Sequence, residues 1–276
     1  MTFDLRGVVV RHASSRSQDG ATALSGIDLK IAPGEQLALI GPSGAGKTTL
    51  LHTLAFANRP YAGEISIFKS DPWRLSNAAR HALRGRLFLA PQTPPLPPRQ
   101  RVVTAVLAGR LPQWSIWQAL VSLVKPADTA IAHDALARFN LQDKLYARVD
   151  RLSGGERQRT GMARLIASAA EVFLIDEPLS ALDPALAQQT LSVLKQEAAL
   201  RGAALVCSLH QVDVARAMFP RLVGLREGRI VFDARSENVS DAMIAALYRH
   251  SVSTAPVDAG DDTALNAPPI VAPRCF

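Results

Sequence analysis

QLALIGPSGAGKTTLLHTLAFA, residues 36 to 57, sets three patterns end to end. QLALI is a short continuous apolar run of the kind that forms a strand buried on both faces, whereas TTLLHTLAFA repeats its apolar residues at helical spacing. Between them GPSGAGKT, residues 41 to 48, fills the pattern G-x-x-x-x-G-K-[ST]. The glycines of such a loop let backbone N–H groups turn toward an anion, and the head of the following helix adds positive potential. Lys47 then reaches the β and γ oxygens of a nucleotide, and Thr48 offers a hydroxyl to Mg²⁺. Gly41, Pro42, Ser43, Gly44, Ala45, Gly46, Lys47, Thr48 and Thr49 are therefore the expected phosphate cradle.

A second apolar strand pattern, VFLIDE at 172 to 177, ends in two adjacent acids. A strand this apolar rarely terminates in two carboxylates without a cation to neutralise them. Asp176 at the carboxyl edge of the sheet is expected to hold Mg²⁺ through water, and Glu177 to polarise an attacking water. Around these two motifs the chain alternates strand and helix patterns, which predicts an α/β core of the phosphate-loop NTPase type.

Outside that core, LRGVVVRH and ALSGIDLKIAP within residues 1 to 33, with GEISIF at 63 to 68, alternate apolar and polar residues and predict an N-terminal antiparallel β layer. From about 93 to 165, after the proline-rich TPPLPPRQ, only helical periodicity is found, so an inserted α-helical subdomain is expected there. One domain would then span residues 1 to 250. SVSTAPVDAGDDTALNAPPIVAPRCF, residues 251 to 276, has no period and predicts a disordered tail.

Composition removes several function classes. No run of 18 apolar residues occurs, and the densest stretch, WSIWQALVSLV at 114 to 124, is too short to span a bilayer. The start, MTFDLRGVVVRH, carries no signal-peptide pattern, so the cytoplasm is the expected compartment. Cys207 and Cys275 make neither a metal motif nor a disulfide framework. A net charge of +7 raises the question of nucleic acid. Arg80, Arg84, Arg86, Arg99 and Arg101 are scattered without interleaved aromatics, so no nucleic-acid partner is expected.

RLSGGERQR, residues 151 to 159, poses the remaining problem, because it too suits phosphate. Ser153 with Glu156 three residues on reads as a capping box, and the backbone of Gly154 and Gly155 opens a helix suited to an anion. Taken with GPSGAGKT and VFLIDE, LSGGE resembles the signature of the ATP-binding-cassette family, a likeness that runs from about residue 5 to 248. The resemblance implies a homodimer in which two ATP molecules lie head to tail between subunits, with Ser153, Gly154 and Gly155 of one subunit meeting the nucleotide held by the other. It implies that Gln92, after LFLAP, senses Mg²⁺ and the attacking water, that Asp183 in SALD lies at the dimer seam, and that His210 is the switch histidine. Glu177, His210, Gln92 and Lys47 become the catalytic set, and Thr48, Gln92 and Asp176 the metal set. Where such cassettes usually stack an aromatic on adenine, this chain has His12 in VVVRH, or else a plain edge-strand histidine.

Such a subunit is implied to be peripheral on the cytoplasmic face of the inner membrane, bound to integral membrane permease subunits and working indirectly with a periplasmic solute-binding protein. VLAGRLPQWSIWQALVSL at 106 to 123 and DALARFNLQDKLYARVDRLSGGERQR at 134 to 159 resemble the helical subdomain of phosphonate-importer ATP-binding subunits, which implies import of phosphonate or a related phosphorus oxyanion. In the family this subdomain and the loop after Gln92 form the groove that receives the permease. Trp114, Trp117, Leu120 and Leu123 also fit a helix that simply packs. Import of another small solute, or a soluble cassette ATPase without transport, are the alternatives.

Overall fold

Strand residues divide between two cores. The structure is a computed structural model that describes residues 1–11, 22–124 and 128–249. In chain order the elements are β1 (Phe3–Arg11), β2 (Thr22–Ile31), β3 (Gln36–Ile40), α1 (Lys47–Leu54), β4 (Ala62–Ile67), α2 (Asn77–Arg84), β5 (Leu87–Ala90), α3 (Val102–Leu107), α4 (Ile116–Val124), α5 (Thr129–Ala137), α6 (Gly154–Ala167), β6 (Val172–Asp176), α7 (Pro184–Arg201), β7 (Ala204–Ser208), α8 (Val212–Met218), β8 (Arg221–Arg226), β9 (Arg229–Arg235) and α9 (Asp241–Tyr248). A six-stranded sheet runs β5-β6-β7-β3-β8-β9, parallel except for the β8–β9 edge. A three-stranded antiparallel sheet runs β2-β1-β4.

Because side chains alternate along a strand, the central sheet faces two ways. Leu37, Leu39, Val172 and Leu174 pack with Leu50, Leu51 and Leu54 of α1 and with the antiparallel layer. Ala38, Ile40, Phe173 and Ile175 face the opposite core, built with α3, α5, α6 and α7. Both faces are covered, which is why these strands read as unbroken apolar runs.

Between β5 and β6 the regular elements among the described residues are helices, with an isolated bridge between Arg101 and Arg148. Gly109, in a 3₁₀ turn at Ala108–Gln113, fastens this part to α6: a Cβ there would stand 2.2 Å from the Arg164 carbonyl oxygen. Gly161 of α6 meets the proline-rich loop, where a Cβ would lie 2.7 Å from Pro94 Cγ. The helix α4 does not simply pack. Trp114 before it rests on the core, but Ile116, Trp117, Leu120 and Val121 are exposed by 80%, 78%, 51% and 56%.

Three of the scattered arginines have structural work. Arg80 lies over the Trp73 ring and donates to the Pro72 carbonyl, Arg84 donates to the Phe56 carbonyl, and Arg86 pairs with Glu171. His12, Cys275 and residues 251–276 lie outside the described residues.

Gly109→Ala is expected to destabilise the fold by about 1–3 kcal/mol, since the added methyl must displace backbone rather than a side-chain end. Urea unfolding should show a lower midpoint at an unchanged slope.

Candidate active site

The phosphate loop is shaped by two contacts that exclude any side chain. Gly41 has φ of 149°, and a Cβ on it would fall 2.0 Å from the Leu225 carbonyl oxygen. Gly46, the residue before α1, has φ of 101°, with Leu24 Cδ2 and the Ala23 carbonyl oxygen 2.9 and 3.0 Å from where its Cβ would be. Held this way, the loop presents the unpaired first-turn N–H groups of α1 to a cleft of about 450 Å³. Residues 43 to 49, Gln92, Glu177 and His210 line it, together with Thr22, Ala23, Glu227 and Gly228.

Lys47 is 5% exposed, and its Nζ donates to the carbonyls of Gly41 at 2.7 Å and Pro42 at 3.1 Å. Burial pulls its pKa down, while the charges of Glu177 and Asp176 push it back up. At the sheet edge Thr48 Oγ1 donates to Asp176 Oδ2 at 2.8 Å, and Ser208 Oγ donates to Asp176 Oδ1 at 2.5 Å. A hydroxyl beside a carboxylate is an oxygen donor pair that suits Mg²⁺, which keeps much of its own water and seldom needs a cage of protein ligands. Among the described residues no group of three or more His, Cys, Asp or Glu forms a metal site.

Glu177 leaves the strand in the left-handed region, with φ of 48°. Its backbone N–H donates to Ser208 Oγ at 3.0 Å, and Gln158 Nε2 donates to its carbonyl at 3.4 Å. Its carboxylate is clasped from two sides: Gln92 Nε2 donates to Oε2 at 2.8 Å, and His210 Nε2 meets Oε1. The structure therefore brings Lys47, Thr48, Gln92, Asp176, Glu177 and His210 into one site, although they come from four separate stretches of chain.

A family model described as ABC transporter matches residues 24–180. The chain belongs to the ABC transporter family. The phosphonates import ATP-binding protein PhnC of Polaromonas sp. is 52% identical over 274 residues, covering 98% of this chain and 99% of that protein. That of Pseudomonas aeruginosa, PhnC 1, is 56% identical over 248 residues, covering 90% and 91%. Among solved structures, a dimeric ATP-binding cassette in a post-hydrolysis state bound to ADP and Pi overlays with a TM-score of 0.73 at 24% identity, covering 85% of this chain and 98% of that one. This likeness concerns the fold.

Other elements of this ABC cassette stand apart from the cleft. Ser153, Gly154, Gly155 and Asp183 do not line it. Ser153 caps α6 through a full capping box: its Oγ accepts from the Glu156 N–H at 3.2 Å, and Glu156 Oε2 accepts from the Ser153 N–H at 2.8 Å. Asp183 caps α7 by accepting from the Leu186 N–H at 3.0 Å. Gly155 lets these two segments touch, since a Cβ on it would lie 3.0 Å from the Ala181 carbonyl oxygen. The first helical residues of α6 thus lie outside the cleft formed by the chain's own phosphate loop. Cys207 is fully buried, and burial with the neighbouring Asp176 charge pushes its thiol pKa far up, so it is an inert core residue.

The motifs did not point to Ser208, Gln158, Thr22, Ala23, Glu227 or Gly228. Only Ser208 carried a signal, as a hydroxyl inside the otherwise apolar run AALVCSLH.

Lys47→Met keeps the buried stem but removes the ammonium. It is expected to weaken nucleotide binding at least tenfold, as the loss of a charge-assisted contact worth about 1.5–3 kcal/mol requires. Equilibrium titration with a fluorescent ATP analogue measures this, with the melting temperature held within a few degrees of wild type.

Proposed function

We propose that the protein is the ATP-hydrolysing subunit of a membrane importer for phosphonate or a related phosphorus oxyanion. The observation that carries the ATPase reading is the convergence of Gln92 and His210 on the Glu177 carboxylate beside the Thr48–Asp176 pair. A nucleotide seated on the loop places its γ-phosphate next to Lys47, whose ammonium neutralises the β and γ oxygens. Glu177 orients a water for in-line attack and takes its proton as the P–O bond to the leaving ADP breaks. Gln92 and His210 fix the carboxylate and give it a hydrogen-bonded environment. Mg²⁺ would be held by Thr48 and Asp176, with Gln92 close by, and would supply positive charge to the phosphate oxygens.

A cleft with Ser153, Gly154 and Gly155 absent supports the head-to-tail dimer, because a γ-phosphate on one subunit then lacks its second anion nest until a partner's α6 arrives. Asp183 would sit at that seam, and ATP and Mg²⁺ would be the working cofactors. In domain terms, the ATPase unit would span residues 1–250, with a helical subdomain over about 93–165. His12 would serve the adenine end.

Two surfaces favour permease docking. A groove of about 160 Å³ next to Gln92 is lined by Phe88, Leu89, Pro94, Leu96 and Met162, and Arg164 reaches it with an Nε that has no hydrogen-bond partner among the described residues. The exposed apolar face of α4 offers further area for an apolar partner. No helix among the described residues is long and apolar enough to cross a membrane, so the transport path would belong to permease subunits. The protein would work peripherally on the cytoplasmic face, downstream of a periplasmic solute-binding protein. The substrate class rests on the 52% and 56% identity to phosphonates import ATP-binding proteins over nearly the whole chain.

Glu177→Gln is expected to bind ATP as wild type does and to lose hydrolysis by at least about a hundredfold. It should then elute from gel filtration with ATP as a stable dimer; wild-type turnover would remove Glu177 from the reaction. For the substrate, deletion of the gene should abolish growth on a phosphonate as sole phosphorus source and uptake of the labelled compound. Unchanged growth and uptake in a strain without a redundant importer would point instead to another solute.

A further inference from the structure

Ser208 is the last residue of β7 and is fully buried, yet it carries a hydroxyl into the centre of a parallel sheet. It lies directly opposite Asp176 on β6. A carboxylate only accepts, so the Ser208 proton must go to Asp176, and it does, at 2.5 Å to Oδ1. That leaves the oxygen lone pairs free, and one of them accepts the Glu177 N–H at 3.0 Å. A single hydroxyl therefore ties the side chain of one acid to the backbone of the next.

The consequence lies in the two acids' different directions. With Oδ1 engaged by Ser208, Asp176 turns Oδ2 toward Thr48. Glu177 meanwhile holds φ of 48°, a conformation sparsely populated by residues other than glycine, which persists only where surrounding contacts fix it. The N–H bond to Ser208 is one such contact. The turn sends the Glu177 side chain out of the strand path and into the space between Gln92 and His210.

We infer that Ser208 is a positioning residue for ATP hydrolysis, holding Asp176 toward the metal side and the Glu177 backbone in the turn that aims its carboxylate at the reacting water. The inference rests on the role proposed above for Glu177. Hydroxyls that hold metal ligands in this way are worth about 10- to 100-fold in metal affinity or activity when removed.

Ser208→Ala and Ser208→Thr should be compared with wild type and with Glu177→Gln, using the full chain. Ser208→Ala is expected to lower kcat about tenfold or more at saturating ATP and Mg²⁺, with KM for ATP rising in step with the weaker Mg²⁺-dependent binding. A fluorescent ATP analogue should bind Ser208→Ala as it binds wild type in EDTA, but the gain in affinity on adding Mg²⁺ should fall by about tenfold. Ser208→Thr keeps the hydroxyl and should recover most of both losses. If the added methyl prevents folding, the Mg²⁺-dependent binding of Ser208→Ala decides alone. An unchanged Mg²⁺ gain together with wild-type kcat, or losses that simply follow a lowered melting temperature and are not recovered in a folded Ser208→Thr, would overturn the inference. A Glu177→Gln protein with wild-type turnover would instead bring down the assignment beneath it, and the inference with it.

Discussion

The hydrogen bond from Thr48 to Asp176 joins the start of α1 to the end of β6, two elements 128 residues apart in sequence. Everything else in the site is arranged around that junction. It sets the phosphate loop against the carboxyl edge of the sheet, where β3, β6 and β7 end side by side in one register. Parallel strands make this possible, since their ends gather on one edge and the loops that follow open over a shared floor. The nucleotide cleft is thus a property of the sheet before it is a property of any one motif.

The same sheet explains why the protein has two apolar cores and a single active edge. Alternate residues of β3 and β6 are committed to opposite faces, leaving the strand ends as the only places where polar side chains can gather without breaking a core. Asp176 and Ser208 sit at that limit. Each is nearly or wholly buried, and each has its hydrogen-bonding capacity met by the other and by the neighbouring loop.

Much of this was legible in the sequence because it is local. The phosphate loop, the apolar strand ending in two acids and the capped glycines of α6 each fit within about ten residues, where spacing alone carries the physics. Gln92 and His210 were legible only through the family resemblance, and it is the fold that brings them to Glu177. What escaped was decided at a distance. Ser208 reaches Glu177 across 31 residues and Gln158 across 19, and neither bond leaves a periodic trace. The four residues of β5 were too few to show alternation, and α2 and α9 are only eight residues long each. Leu120 and Trp117 misled in the opposite sense: apolar residues at helical spacing suggest burial, but α4 turns them outward.

Lys47 Nζ is bonded to two carbonyls of its own loop. A polyphosphate seated on the loop would therefore not meet a bare ammonium; it would offer charged acceptors in place of two neutral ones. Little is gained in the number of bonds, so the gain lies in Coulomb attraction, the part of the interaction that dissolved salt weakens. On the site proposed above, nucleotide capture by this cassette would weaken as ionic strength rises.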